Sequence, residues 1–221
     1  MRNLLTDIAG IAVGHATDLA AGTGATAILF DEAVTASAVI PGGAPGSRDT
    51  AMLEPEMTQQ KVNAFVLSGG SAYGLDAAGG VQAWLREHGR GLRMRDALIP
   101  VVPQAILFDL LNGGNKDWGR FSPYRDLGWA AAVAAMHSDF ALGSVGAGTG
   151  ATTATVKGGI GSASMKLPQG YTVAAIVAVN AVGAATIGDG PHFWAAPYEI
   201  GSEFGGRGLP ARFTANLLTP R

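Results

Sequence analysis

The sequence predicts an α+β domain in which sheets are covered by helices. Strand-like segments come first, helices occupy the middle of the chain, and strand-like texture resumes beyond residue 171. Hydrophobic residues make up 48% of the chain and charged residues 14%, which is enough apolar surface for a sizeable core. The length of 221 residues fits a single domain, 1–221.

The first half of the chain contains three clear strand candidates. Residues 24–30, 35–40 and 62–67 are short and rich in apolar and β-branched side chains. A Gly-rich turn follows the third candidate and leads into an apolar-periodic segment, which predicts a helix ending at Gly89. A weaker strand candidate at 98–102 contains a proline, which would confine it to a sheet edge.

The second half begins with a helix signal and ends with strand signals. Ser122–Pro123 offers a capping hydroxyl before a proline at the first helical position, which predicts a helix from Tyr124 to about His137. From Tyr171 onward the composition predicts two strands that meet near residues 180–183.

Charge and cysteine content exclude several functional classes. The formal net charge is −2, so the basic surface of a nucleic-acid-binding protein is not expected. The chain has no Cys and only scattered His residues, so neither a metal site nor a cofactor is predicted. The longest apolar stretch, 173–187, is shorter than the roughly 20 residues that span a bilayer. We therefore expect a cytoplasmic protein without a membrane partner.

Two Gly-rich motifs resemble known sites but lack their context. Residues 146–151, GAGTGA, match a dinucleotide fingerprint, yet no helix follows and no acidic residue lies about 20 positions on. Residues 69–74, GGSAYG, place Ser71 between a strand and a helix, but a nucleophile elbow needs Gly where Tyr73 stands. Ser71 could cap the helix, the backbone N–H groups of the turn could bind an oxyanion or carboxylate, or Ser71 could be an esterase nucleophile.

No complete nucleophile–base pair is visible in the chain, but six segments in order resemble one family. They resemble the L-aminopeptidase/D-esterase (DmpA-type) family, which includes β-peptidyl aminopeptidases and 6-aminohexanoate (nylon) oligomer hydrolases. The matching segments are 3–18, 67–85, 105–120, 143–159, 177–183 and 192–208.

The resemblance implies a self-processing N-terminal-nucleophile hydrolase with a four-layer αββα sandwich. The precursor cuts itself, and a Ser or Thr at the start of a separate β chain becomes the nucleophile. A terminal amine titrates near about 7.7–8.0, so it can take the proton from its own hydroxyl without a His. This chain resembles the α subunit. Its implied partners are a β chain from the same precursor, further αβ units in a homo-oligomer, and a small amide, ester or oligoamide substrate.

The resemblance assigns two catalytic candidates. Asn180 matches an Asn that acts as an oxyanion-hole donor, and its NH₂ group can donate to developing negative charge. Lys157 matches a Lys near the nucleophile, where its positive charge would keep the terminal amine neutral and basic. Without the resemblance, the sequence favours a buried Asn that caps a strand end for Asn180 and a surface residue for Lys157.

The substrate-binding candidates rest on weaker matches. Phe108 stands where some family members carry a Tyr in the active site, so it is expected to be a pocket wall or a core residue. The other pocket candidates are Tyr73, Trp194 and the backbone at Gly70 and Ser71.

The last residues also depart from the family pattern. Asn216 is followed by Leu217 rather than by Thr, so we expect the chain to end in the linker before the cut, with the nucleophile on another polypeptide. Two alternatives stay open at this point. The chain could be an inactive scaffold or small-molecule binding protein of the same fold, or the Ser71-dependent esterase already considered.

Overall fold

The computed structural model of the chain describes residues 1–213, so the Asn216–Leu217 pair lies outside the described residues. The strands are β1 (Ile11–Asp18), β2 (Thr23–Thr35), β3 (Ser47–Arg48), β4 (Lys61–Ser68), β5 (Leu92–Met94), β6 (Ala97–Ile99), β7 (Gln104–Ile106), β8 (Gly159–Lys166) and β9 (Thr172–Val179). The α-helices are α1 (Ser71–Gly74), α2 (Ala77–Glu87) and α3 (Tyr124–Val133). Short 3₁₀ helices lie at Leu5–Asp7, Ala51–Leu53, Gly146–Gly148 and Ala196–Tyr198.

The main sheet has five strands in the order β1-β2-β4-β7-β3. Its neighbours are antiparallel except for β4 and β7, which run parallel. A parallel pair needs a long crossover, and here the crossover carries α1 and α2. Strands β5 and β6 form one separate hairpin, and β8 and β9 form another.

Helices α2 and α3 cover one face of the main sheet. Their contact depends on glycine, because a Cβ on Gly80 would overlap the carbonyl oxygen of Arg125 and one on Gly128 would overlap that of Ala77. The sheet meets the helices mainly with small residues, so three layers of backbone approach closely. The buried residues of this core are Ala12, Ala16, Ala25, Ala27, Leu29, Ala64, Val66, Ala77, Ala78, Val81, Leu85, Val102, Tyr124, Ala131 and Ala132.

The β8–β9 hairpin lies against the other face of the sheet. The core on this side has larger side chains, namely Leu5, Val13, Ile28, Phe30, Leu53, Val62 and Val101. Ala174 and Ile176 of β9 pack against it, while the alternate residues Val173 and Val177 remain 54% and 51% exposed. From one side to the other, residues 1–213 form a helical layer, a five-stranded sheet and a hairpin layer.

The predicted elements are partly confirmed. The strands at 24–30 and 62–67 lie within β2 and β4, and both main helices are present, although α3 ends at Val133 instead of near His137. The strand at 35–40 is wrong, because the chain leaves the sheet where Thr35 pairs with Lys61. The strand at 98–102 is shortened to β6, a hairpin strand outside the main sheet.

The C-terminal strand prediction is wrong in its pairing. Between Tyr171 and Phe213 the structure has one strand, β9, which ends just before the expected junction at 180–183. Its partner is β8, a Gly- and Ser-rich segment whose composition did not predict a strand. No helix within residues 1–213 combines the length and the apolar character needed to cross a membrane.

Candidate functional site

The turn after β4 is held rigidly by its own amides. Gly70 has a φ of 83° and Ser71 a φ of 52°, so the chain reverses sharply between β4 and α1. A positive φ is unfavourable for Ser and is often kept at functional turns. The N–H of Gly69 donates to the carbonyl oxygen of Gly24 (2.9 Å), that of Gly70 to Asp109 Oδ1 (2.7 Å) and that of Ser71 to the carbonyl oxygen of Leu107 (2.9 Å).

These contacts correct two expectations for the turn. The N–H groups of Gly70 and Ser71 are occupied, so they are not free to bind an oxyanion or carboxylate. The residue at the helix N-cap is Gly70, and no side-chain capping bond is made, so Ser71 is not the cap. Ser71 instead follows the cap with a partly exposed side chain.

A buried polar chain lies directly beneath this turn. Asp109 is 0% exposed, and its Oδ2 accepts a hydrogen bond from Thr23 Oγ1 at 2.6 Å. Because the Thr23 hydrogen is committed to Asp109, the Tyr124 hydroxyl donates to Thr23 Oγ1 at 3.1 Å. Burial, reinforced by the negative charge of Asp109, raises the pKa of Tyr124 to about 12. Tyr124 therefore remains a donor at physiological pH.

Asn180 lies at the end of β9, where its side-chain amide is held at both atoms. Its Oδ1 accepts from the backbone N–H of Thr152 at 2.9 Å, and its Nδ2 donates to the carbonyl oxygen of Phe108 at 3.2 Å. These two partners fix which atom is oxygen and which is nitrogen. Among residues 1–213, only one of the two Nδ2 hydrogens is engaged, and the side chain is partly exposed.

Lys157 lies close to this amide in the fold. It pairs with Thr152 in an isolated antiparallel bridge, and Thr152 is the residue that donates to Asn180. Lys157 is exposed and forms no ion pair within the described part of the chain. The structure thus places both predicted catalytic residues on adjoining segments.

Of the predicted pocket side chains, Phe108 and Tyr73 lie near the turn and Asn180, whereas the described contacts of Trp194 do not include them. The Phe108 side chain is 48% exposed and therefore not a core residue, and its carbonyl holds Asn180. Tyr73 is 57% exposed and meets Trp118 edge to face with ring centroids 5.6 Å apart. Trp194 stacks on Phe213 at 6.2 Å, and its described contacts do not join it to the segment around Phe108.

Segment 107–112, which follows β7, connects the turn to Asn180 by hydrogen bonds, and the sequence did not predict this role. It holds Ser71 through Leu107, Gly70 through Asp109 and Asn180 through Phe108. One available signal was an acidic residue inside the apolar run AILFDLL, since an Asp there is rarely buried without partners.

A second buried threonine of β2 holds the Gly-rich segment at 146–148. Thr26 Oγ1 accepts from the N–H of Ala147 at 3.0 Å and lies 2.9 Å from His15 Nδ1. The other ring nitrogen of His15, Nε2, lies 3.1 Å from the carbonyl oxygen of Ala141 and must carry the proton, because a carbonyl only accepts. Burial lowers the pKa of His15, which keeps the ring neutral.

Other sites in the molecule are less suitable for chemistry. Within residues 1–213, no group of three or more His, Asp or Glu side chains could hold a metal ion. A surface hollow of about 560 Å³ is lined by residues that include Lys61, Asn63 and Arg93. It adjoins the start of β4, whereas the turn at Gly70 follows the end of that strand.

Comparison with known proteins identifies the family. The model of Peptidase family S58 matches residues 3–203. The chain belongs to this family. It is 43% identical over 189 residues to an uncharacterized aminopeptidase of Mycobacterium tuberculosis, covering 82% of this chain and 54% of the relative. An uncharacterized aminopeptidase of Mycobacterium leprae is 42% identical over 194 residues, with 82% and 53% covered. The chain thus spans about half the length of the curated relatives it matches.

Solved structures support the same fold. A beta-aminopeptidase of Burkholderia sp. matches with a TM-score of 0.66 and 25% identity, covering 81% of this chain and 52% of that one. An L-aminopeptidase D-Ala-esterase/amidase of Ochrobactrum anthropi, described as a variant of the Ntn hydrolase fold, matches with a TM-score of 0.64 and 20% identity, covering 84% and 55%. The predicted α+β fold of N-terminal-nucleophile type is confirmed.

Proposed function

We propose that this chain is the α-chain part of an aminopeptidase-type amide or ester hydrolase. Its nucleophile would be the Ser or Thr at the N-terminus of a separate β chain cut from the same precursor. The family match and the aminopeptidase names of the relatives support the reaction class. The observation that carries the site assignment is the orientation of Asn180, whose amide is fixed at both atoms and keeps one N–H available among the described residues.

The proposed reaction needs no metal and no histidine base. The side-chain hydroxyl of the Ser or Thr at the start of the β chain attacks the substrate carbonyl, and the α-amine of the same residue takes the proton. The oxyanion that forms accepts a hydrogen bond from Asn180 Nδ2. Collapse of this intermediate expels the amine or alcohol, which takes the proton from the terminal ammonium. Water then attacks the acyl-enzyme ester, its proton passes through the terminal amine to the Ser or Thr oxygen, and the carboxylic acid leaves. Lys157, exposed on the adjoining segment, would favour the neutral form of the terminal amine through its positive charge.

The proposal extends to substrates, assembly and location. Candidate substrates are short amides, esters and oligoamides with a free amino end, including β-peptides and nylon oligomers. The αβ units are proposed to form a homo-oligomer in the cytoplasm. Among the pocket candidates, Tyr73 and Phe108 offer partly exposed apolar surface next to the turn and Asn180, which favours apolar substrate groups.

The first test measures the chain composition of the full-length protein. Intact-mass measurement should detect a second, shorter chain that begins with Ser or Thr.

The second test measures hydrolysis. A panel of p-nitroanilides, esters and an oligoamide should reveal hydrolysis, and Asn180→Ala should lower kcat by about 10²–10³-fold, as loss of an oxyanion donor does elsewhere. Asn115→Ala is the matched control, because Asn115 is exposed and its side chain, within residues 1–213, accepts a hydrogen bond only from the nearby N–H of Asp117. Full kcat in Asn180→Ala would remove Asn180 from the mechanism, and absence of any hydrolysis would favour an inactive scaffold or binding protein.

A Ser71-dependent esterase is the second candidate. The observation that favours it is the positive φ of Ser71 at a strand-to-helix turn, a geometry that presents a nucleophile in other hydrolases. Treatment of the full-length protein with a fluorophosphonate, followed by peptide mapping, separates the two candidates. Label on Ser71 would support the esterase, whereas label confined to a separate chain would exclude it.

A further inference from the structure

We infer that Thr23 is a positioning residue for the proposed oxyanion donor Asn180, acting through Asp109 and the segment that follows it. The inference rests on the proposed function, because it concerns the same reaction. Thr23 is the first residue of β2, an interior strand of the sheet, and is 0% exposed, so it does not itself reach a substrate.

The first step of the argument is that the Asp109 carboxylate is held at both oxygens. Oδ1 accepts from the N–H of Gly70 at 2.7 Å, and Oδ2 accepts from Thr23 Oγ1 at 2.6 Å. Thr23 in turn accepts from Tyr124, the first residue of α3. The carboxylate is thereby tied to the sheet, to the helical layer and to the strained turn.

The second step is that glycine backbone lies close against the Asp109 carboxylate. A Cβ on Gly69 would overlap it, and a Cβ on Gly150 would come within 2.7 Å of its Oδ2. A buried charge that loses a hydrogen bond is strongly destabilised. Loss of either donor is therefore expected to move the Asp109 side chain and the backbone that carries it. The Asp109 backbone therefore has one favourable position.

The third step is that both ends of the Asn180 amide depend on this segment. Its Nδ2 donates to the carbonyl oxygen of Phe108, the residue adjacent to Asp109. Its Oδ1 accepts from Thr152, whose side-chain oxygen accepts from Asn112 Nδ2 at 3.1 Å. Asn112 also donates to the carbonyl oxygen of Gly150 at 2.8 Å. Displacement of segment 107–112 would therefore rotate or shift the amide that is proposed to bind the oxyanion.

The test compares two substitutions at one position in the full-length, processed protein. Thr23→Val keeps the shape and removes the hydroxyl, so Asp109 Oδ2 loses its donor, whereas Thr23→Ser keeps the hydroxyl. We expect Thr23→Val to lower kcat by about 10–100-fold with little change in KM, because misplacement of about 1 Å can cost that much. Thr23→Ser should restore kcat to within about threefold of the wild type.

Thr6→Val is the matched control for removing a buried hydroxyl. Thr6 is 5% exposed, and its Oγ1 has no hydrogen-bond partner within the described residues. The same chemical change there should leave kcat unchanged. If Thr23→Val does not fold, Tyr124→Phe takes its place, because it removes the donor to Thr23 Oγ1 and leaves Thr23 bonded to Asp109. A smaller loss of kcat, about 3–10-fold, is then expected.

A double-mutant cycle tests whether the effect passes through Asn180. In an Asn180→Ala background, Thr23→Val should cause little further loss of kcat, because the group it positions is already absent. A full additional loss in that background would overturn the inference, and so would wild-type kcat in a folded Thr23→Val protein.

A spectroscopic measurement separates failure of the inference from failure of the proposed function. The NMR signals of the Asn180 side-chain NH₂ group can be identified by their loss in Asn180→Ala. Their chemical shifts should change in Thr23→Val and stay the same in Thr23→Ser and Thr6→Val. Unshifted signals in Thr23→Val would overturn the inference whether or not the protein hydrolyses any substrate. Shifted signals in a protein without hydrolase activity would reject the proposed function and retain the structural coupling.

Discussion

The two faces of the five-stranded sheet are covered in different ways. On the helical face, Gly14, Gly80 and Gly128 let backbone approach backbone, since a Cβ at any of them would overlap a carbonyl oxygen. On the hairpin face, larger side chains fill the core, and β9 contributes only alternate residues to it. The helical face is therefore sensitive to added volume, while the hairpin face has partly exposed apolar residues that tolerate change.

Directional polar contacts also hold the hairpin face. The Asp7 carboxylate accepts from the backbone of Arg2 and Asn3 and from Ser164 Oγ of β8 at 2.6 Å. His15, on the same face as Val13, bonds Thr26 and the carbonyl of Ala141. Two titratable groups thus help to hold this side, so its stability is expected to depend on pH.

The largest difference should come from adding one methyl group. Gly128→Ala favours helix formation by about 1 kcal/mol, yet its Cβ would overlap the carbonyl of Ala77, so we expect a net loss of about 3 kcal/mol in the free energy of unfolding. Gly161→Ala in β8 is the control, because nothing lies within 4 Å of its added Cβ. Its effect should stay within about 0.5 kcal/mol in urea unfolding. Equal effects at both positions would contradict the contrast between the faces.

A matched valine pair measures the same contrast by removing volume. Val81 on α2 is 0% exposed and Val177 on β9 is 51% exposed. Val81→Ala should cost about 2 kcal/mol through lost burial and a residual cavity, and Val177→Ala less than about 0.5 kcal/mol. The free energies of unfolding of the two variants in urea measure this difference. A cost above about 1 kcal/mol for Val177→Ala in the full-length protein would reveal a partner covering the hairpin.

His15 should make stability depend on pH near neutrality. Its pKa is lowered in the folded protein, so the unfolded chain binds the proton more readily, and stability falls as pH drops below about 6.5. His15→Gln should reduce this slope, which for one proton cannot exceed about 1.4 kcal/mol per pH unit. Thermal unfolding between pH 8 and 5 measures it. Identical slopes in both proteins would show that His15 does not contribute.

Asp7 should act in more acidic solution. Its hydrogen bonds, chiefly from Arg2 and Ser164, lower its pKa to about 2, so its contribution is complete above about pH 4 and is lost as pH falls through 2. Asp7→Asn should therefore be less stable than the wild type at pH 5, with the gap closing toward pH 2. A gap that stays constant over this range would assign the loss to packing rather than to the charge.

Sequence reasoning located the elements whose local pattern agrees with their place in the fold. Strands β2 and β4 carry long apolar runs, and α2 has a clear period and a terminal Gly, so they were predicted. Strand β8 was missed, because its small and polar residues owe their conformation to pairing with β9. Tertiary pairing of this kind leaves no local signal.

The candidate site was predictable only in part. Asn180 and Lys157 came from the family resemblance, and the structure places them on adjoining segments. The chain of hydrogen bonds beneath them was not predictable, because Thr23 and Asp109 are 86 positions apart. The sequence left several roles open for Ser71, and the structure excludes capping because Gly70 is the N-cap and no side-chain capping bond is made.

The hydrogen bonds between residues 3–5 and β8 have a consequence for biosynthesis. The N–H of Leu5 donates to Ser162 Oγ, and the N–H of Ser164 donates to Asn3 Oδ1, across 157 and 161 positions. Ribosomes deliver residues in order, at roughly 5–20 per second, so Asn3 and Leu5 wait about 8–30 seconds for the strand that carries their partners. During that interval the N–H of Leu5 and the side chain of Asn3 lack these partners, and chaperones or proteases that act on nascent chains have time to bind the segment.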